Sequence, residues 1–209
     1  MIDFYSWTTP NGRKVSILLE ELGIDYTTHA IDITNDDQLA PDFIAISPSN
    51  KIPAIVDQDN GQTLMESGAI MIYLAEKYDR FIPKDPQKRW QTIEWLMWQM
   101  GGLGPMAGQT HHFLKYNQGV SEYAEKRFQT ETKRLYGVLD KQVGKNGFIA
   151  GEYSIADMAC WPWISRFEWQ QIDLNGFPEL KRWYTEIASR PAVQKGYHVP
   201  KFTQDIPSP

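Results

Sequence analysis

Three short stretches of this chain carry residue types suited to chemistry. Asn50-Lys51-Ile52-Pro53-Ala54-Ile55 puts a proline at the mouth of a strand, where it donates nothing to a ladder and leaves an open edge on which a second extended peptide can pair. After a short hairpin, Glu66-Ser67-Gly68-Ala69-Ile70 opens an apolar helix with an acid, a hydroxyl and small residues. A carboxylate and a positively polarised helix N-terminus are thereby expected beside the strand edge, a combination that suits a short peptide with a free amine and a free carboxylate. Upstream, Ser6-Trp7-Thr8-Thr9-Pro10-Asn11-Gly12 joins the first strand to the first helix, the kind of loop on which open α/β layers place reacting groups. Thr9 and Asn11 offer a hydroxyl and an amide there. Such donors next to a positive dipole favour a bound thiolate over a thiol, whose unperturbed pKa is about 8.5. Both residues are also good helix caps, and capping stands as the alternative.

Composition limits what those residues can serve. The 209 residues allow one large or two small domains, and 42% hydrophobic with 13% aromatic residues suffice for packed cores. A formal net charge of -5 argues against a general nucleic-acid or anionic-membrane binder, while small anions remain open as ligands. No apolar run reaches membrane-spanning length, and the chain enters Ile2-Asp3-Phe4-Tyr5 without a charged leader, so a cytoplasmic protein is expected. The single Cys160 excludes an internal disulfide and a Cys-x-x-Cys pair, and in a capped apolar helix it reads as a small hydrophobe. Any thiol chemistry then uses a borrowed thiol.

The elements that must position these groups divide near 79–87. Ile2 to Tyr5 reads as a strand, Asn11 to Leu22 as an amphipathic helix, Tyr26 to Ile33 as a strand and 42–46 as a short helix. Ala54 to Asp57 turns through Asp59-Asn60-Gly61 into Thr63 to Met65, the Asn-Gly pair tolerating positive φ, and Ser67 to Tyr78 is helical. This βαβ-then-ββα order predicts an α/β, thioredoxin-like domain over 1–80. The prolines of Phe81-Ile82-Pro83-Lys84-Asp85-Pro86 suit a linker. From Trp90 the pattern is all-α. Helices are expected over 90–100, 121–143, 154–169 and 177–188, giving a helical bundle domain over 88–200, with an extended and loosely held tail from Val199. Ser154-Ile155-Ala156-Asp157 has the form of a structural capping box, and Pro162 should kink the helix that follows.

The run from Trp98 to Phe113 holds four glycines, Pro105, and the adjacent His111 and His112. In an isolated helix each glycine costs about 1 kcal/mol and a proline about 3 kcal/mol, so a broken helix and close approach of another backbone or a ligand are expected. The two histidines point in different directions, with no ligand constellation around them. No metal is expected, and they are read as lining the cleft or packing on a second subunit.

Taken together, Thr-Pro-Asn-Gly at 9–12, Ile-Ser-Pro-Ser-Asn-Lys-Ile-Pro-Ala-Ile-Val-Asp at 46–57, Gly-Gly-Leu-Gly-Pro-Met at 101–106, and Tyr153-Ser154-Ile155-Ala156-Asp157 with Cys160-Trp161-Pro162-Trp163 resemble the nu class of the glutathione S-transferase superfamily. That class comprises bacterial disulfide-bond oxidoreductases related to a yeast prion protein. The resemblance implies a glutathione transferase fold, a homodimer, and two glutathione molecules or one glutathione disulfide at each site. It implies disulfide reduction without a protein cysteine, weak transferase or peroxidase activity besides, and small thiols and disulfides as substrates. Carried over by position, it sets Thr9 and Asn11 against the glutathione sulfurs and makes Ile52-Pro53 a cis pair meeting the cysteinyl unit. Glu66 would take the γ-glutamyl ammonium and Ser67 its carboxylate, with Gln38 and Lys51 at the glycyl end and Arg127 reaching in from the bundle. Lys51 and Arg127 are alternatively solvated surface charges. The implied mechanism is attack of one bound glutathione thiolate on a disulfide, with a second glutathione resolving the product. Two alternatives share the fold: a conventional transferase conjugating electrophiles in a pocket lined by Trp7 and Trp95 to Trp98, and a non-catalytic glutathione-binding regulator.

Overall fold

Alternation decides the first strand. In β1 (Ile2–Ser6) residues 2, 4 and 6 are buried and 3 and 5 are partly exposed. The computed structural model describes residues 1–209. Helix α1 (Pro10–Leu22) begins at its Thr9 cap with proline at the first helical position and stops at Gly23, whose φ of 67° lets its amide close on Leu19 and Glu20. Strand β2 (Tyr26–Ala30) pairs parallel to β1, and α2 (Pro41–Ile46) follows a 3-10 turn at Asp37–Leu39. Strands β3 (Ala54–Asp57) and β4 (Gln62–Met65) form the Asn-Gly hairpin, and α3 (Ser67–Lys77) buries Ile70, Met71, Leu74 and Ala75. The sheet order is β2-β1-β3-β4, and this mixed sheet with its helices is the thioredoxin-like layer expected.

One expectation needs correcting. β3 is not an edge strand: it pairs antiparallel with β1 on one side and with β4 on the other. Both ladders end at Ala54, opposite Tyr5 and Met65, so the backbone open to a ligand is the segment Lys51–Pro53 just ahead of the strand. The hairpin is fastened to α3 by the buried Asp57, which accepts from Tyr73 and Lys77. Burial opposes ionisation of Asp57, but those bonds hold its carboxyl below the usual range.

One compact unit comprises Met1–Ile82 with Ser189–Ile206, and the other Pro83–Ala188 with Pro207–Pro209. Residues 189–200 therefore group with the sheet. There α9 (Pro191–Tyr197) packs on α1, where Arg13 stacks at 3.5 Å on the Tyr197 ring and donates to the Tyr197 carbonyl and to Thr203. The tail is thus tied down rather than loose, with Lys201 lying 4.0 Å over the Trp7 ring.

The second unit is all helix. Pro86 serves as the first residue of α4 (Pro86–Trp98), capped by Asp85, rather than as a breaker. The glycine-rich run is not broken either. A π turn at Gln99–Leu103 leads into α5 (Gly104–His111), and a second π turn spans His112–Tyr116. The wide turn, with the Gly104 amide on the Gln99 carbonyl, accommodates the missing amide of Pro105. A Cβ on Gly104 would lie 2.5 Å from Gln99 Nε2 and 3.3 Å from both the Gln99 carbonyl oxygen and Trp163 Nε1, so Gln99 and Trp163 together explain that glycine. Then come α6 (Glu122–Asn146), α7 (Ile155–Ile164) and α8 (Pro178–Ala188). The capping box of α7 forms, with Asp157 also accepting from Trp183 and from the Ile149 amide. α7 is shorter than expected because Ser165 turns the chain at Ile164. No helix is long and apolar enough to cross a membrane.

Candidate functional site

The first unit holds a cleft of about 160 Å³ lined by Asn11, Ser47, Ser49, Lys51, Ile52, Pro53, Met65, Glu66 and Ser67. Three loops meet there. The β1–α1 loop is drawn tight by the Thr9 amide bonding to the Trp7 carbonyl at 2.7 Å, and Thr9 Oγ1 accepts the Gly12 amide at 3.2 Å. Gly12 is required for this approach, since a Cβ there would stand 2.3 Å from the Trp7 carbonyl oxygen. The α2–β3 loop is fixed by buried Ser47, whose hydroxyl donates to the Lys51 carbonyl at 2.8 Å, and by Asn50 in the left-handed region with φ 54°. The Ile52–Pro53 bond is cis, as the resemblance implies.

The third loop ends at Glu66, whose φ of 71° is uncommon for a residue with a Cβ. Glu66 occupies the N-cap of α3, yet its side chain makes no capping bond. The carboxylate is exposed to the cleft region while the first-turn amides of α3 keep their positive partial charge toward it. The arrangement thus offers, within one small volume, a carboxylate, a helix N-terminus with the Ser67 hydroxyl, an open stretch of backbone and a lysine. These groups complement a zwitterionic peptide.

Of the residues singled out from sequence, Asn11, Lys51, Ile52, Pro53, Glu66 and Ser67 line this cleft together. Thr9 belongs to the same loop as Asn11 and does cap α1, so the capping alternative is realised for it. Gln38 lies on the 3-10 turn, where its Nε2 donates to Asp36 at 3.2 Å and its Oε1 is buried without a hydrogen-bond partner; it is not among the residues lining the cleft. Arg127 is an exposed residue of α6 in the second unit. It lines a separate groove of about 480 Å³ with Met106, Tyr123, Lys126, Phe128, Thr130 and Glu131.

Sequence reasoning missed Ser47, Ser49, Met65 and, beneath the floor, Lys14. The last lies on α1 with 1% exposure, its Nζ donating to Ser67 Oγ at 3.3 Å. The signal was present: Lys14 falls in one helical stripe with Leu18 and Leu22, both buried, and a lysine in an apolar stripe marks an enclosed cation.

Of the two histidines, His111 does not line the cleft or face outward. His111 is buried inside the bundle, stacked 5.6 Å from the Trp163 ring and bonded to Gln170, and only His112 is exposed. Cys160 is fully buried in α7.

Residues 8–77 match the family model of the glutathione S-transferase N-terminal domain, and residues 103–191 that of the C-terminal domain. The chain is 48% identical over 199 residues to the disulfide-bond oxidoreductase YfcG of Escherichia coli K12, covering 92% of this chain and 93% of that one. A crystal structure of a Pseudomonas putida glutathione transferase with one glutathione disulfide bound per subunit superposes with a TM-score of 0.90 at 44% identity, over 95% of this chain and 91% of that chain. A Burkholderia graminis glutathione transferase with two glutathione molecules bound per subunit gives 0.91 at 41% identity, over 97% and 89%.

Proposed function

The chain belongs to the glutathione S-transferase family, and from that premise we propose that it is a glutathione-dependent disulfide-bond oxidoreductase. The observation that carries this reading is the cleft of the first unit, whose groups complement both ends of a short peptide while containing no cysteine. The reductant must then be the ligand itself: two glutathione thiols reduce one disulfide, giving glutathione disulfide and two substrate thiols. The choice of disulfide reduction over conjugation is supported by the activity named for YfcG, and by the neighbours that carry two glutathione units per subunit.

Each residue has a defined task under this reading. Glu66 accepts from the γ-glutamyl ammonium, and Ser67 with the α3 amides donates to the adjacent carboxylate. The backbone at Ile52, shaped by Pro53, pairs with the cysteinyl unit. Lys51, which lines the cleft, serves the glycyl end. Thr9 and Asn11 donate to sulfur and, with the positive end of α1, favour the thiolate. The protein orients two sulfurs and lowers the cost of forming one thiolate; protons released from the thiols are taken up by the departing substrate thiolates through solvent. Conjugation of electrophiles and peroxide reduction are minor activities. A cytoplasmic location suits this chemistry, since reduced glutathione is maintained there.

We place the working protein as a twofold homodimer. The reading draws on the family's habit and on large apolar side chains left exposed in the second unit, Trp90 at 67% and Met97 at 46% on α4 and Tyr123 at 75% on α6, which a partner subunit would cover. Sedimentation equilibrium at micromolar concentration should give about twice the 24.1 kDa chain mass; a monomer would remove the dimer from this reading.

The function itself is tested by comparing turnover of hydroxyethyl disulfide with that of chlorodinitrobenzene, both with glutathione. Disulfide reduction should dominate, and a protein that only conjugates, or only binds, would refute it.

A further inference from the structure

Glu66 and Ser67 are consecutive, and behind the second of them stands a cation that the assignments above do not use. Lys14 is 1% exposed and Ser67 5% exposed, and the Lys14 ammonium donates to Ser67 Oγ at 3.3 Å. An ammonium this deep is retained only where neighbouring groups offset its desolvation. Ser67 meanwhile lines the cleft and is the first helical residue of α3. When a hydroxyl accepts from an ammonium its own O–H becomes the better donor, so the charge of Lys14 is delivered into the cleft through Ser67. The α3 amides, which the Glu66 side chain does not cap, point positive potential at the same place. One residue away, the Glu66 carboxylate offers the opposite charge. A ligand that satisfies both carries an ammonium and a carboxylate on one carbon, which is the chemistry of an α-amino-acid head.

We infer that Lys14 is a positioning residue that, acting through Ser67, makes the cleft specific for ligands with an intact α-amino-acid head. This rests on the reading of the cleft as a glutathione site. It differs from a merely structural role for a buried lysine because it predicts which chemical group of the ligand the lysine senses.

The test is a cycle of binding measurements by calorimetry on the full chain. The probes are glutathione, its analogue 4-aminobutanoyl-cysteinyl-glycine, which lacks only the α-carboxylate of the head, and γ-glutamylcysteine, which lacks the glycyl unit. The unsubstituted protein should bind the head-truncated analogue roughly ten- to hundredfold more weakly than glutathione. Lys14→Met should weaken glutathione by a similar factor and shrink that preference to about twofold, while the penalty for losing the glycyl unit stays the same. A Lys14→Met protein that keeps the full preference overturns the inference, as does one that loses both preferences equally. Absence of glutathione binding by the unsubstituted protein would instead refute the glutathione reading beneath it. Should Lys14→Met fail to fold, the Lys14 ammonium resonance of the unsubstituted protein decides: it should shift on adding glutathione and stay in place with the head-truncated analogue. A resonance unmoved by glutathione, or moved equally by both, overturns the inference.

Discussion

Thr9 Oγ1 accepts the Gly12 amide at 3.2 Å, which fixes the hydroxyl oxygen at the mouth of α1 while its rotatable O–H remains able to donate. One side chain thus caps a helix and offers a bond to a sulfur, and substitutions separate the two roles. Thr9→Ala should cost about 1 kcal/mol of stability through the lost cap. It should also lower disulfide turnover by roughly ten- to hundredfold, the worth of one charge-assisted bond to a thiolate. Thr9→Ser should retain both. Cys160→Ala is the internal control: the thiol is fully buried in α7, so hydroxyethyl disulfide turnover should be unchanged in the folded protein. Loss of turnover in Cys160→Ala, or a Thr9→Ala protein that is less stable but fully active, would contradict the bound-thiol mechanism.

Much of this was legible from local chemistry. The β1 alternation, the Asn-Gly hairpin, the Ser154 capping box and the start of α3 each follow from a few consecutive residues, and those features appear where expected. What escaped depends on partners distant in sequence. That β3 lies between β1 and β4 is a fact of sheet order, which no property of residues 54–57 encodes. The pairing of Arg13 with Tyr197, and so the grouping of α9 with the sheet, spans most of the chain. Lys14 escapes a local reading because its partner Ser67 lies on another helix, although its place in an apolar stripe is visible in the sequence. Intrinsic propensity predicts a break in the glycine run, and tertiary packing with two π turns overrides it.

That override can be measured glycine by glycine. A Cβ at Gly104 would meet Gln99 Nε2 at 2.5 Å, and Gln99 is itself buried, whereas a Cβ at Gly101 meets nothing within 4 Å. Gly104→Ala should therefore destabilise by about 1–3 kcal/mol, the usual cost of overpacking. Gly101→Ala should be neutral or stabilising by up to about 1 kcal/mol, as helix propensity dictates. Urea denaturation of the two variants gives the comparison. Equal effects would mean that Trp163 and Gln99 are not what holds the run helical.

His111 supplies a pH dependence whose sign is fixed by its surroundings. The imidazole stacks on Trp163, meets Trp169 edge-on and bonds to Gln170, which also accepts from Tyr136. Burial first, and the nearby Arg166 charge second, pull its pKa from 6.5 down to about 3. In the unfolded chain the same group titrates near 6.5, so between those values the unfolded state binds a proton that the folded state refuses. The stabilisation is therefore complete above pH 6.5 and is lost as the pH falls toward 3, with a slope approaching about 1.4 kcal/mol per pH unit. His111→Gln removes the titrating group, so its curve of unfolding free energy against pH should be flatter below 6.5 than that of the unsubstituted protein. The difference between the two should be constant from pH 7 to 8 and shrink steadily below 6.5. An imidazole resonance that titrates near 6.5 in the folded protein, or two parallel stability curves, would show that His111 is hydrated and that the bundle core around Trp163 is open to protons.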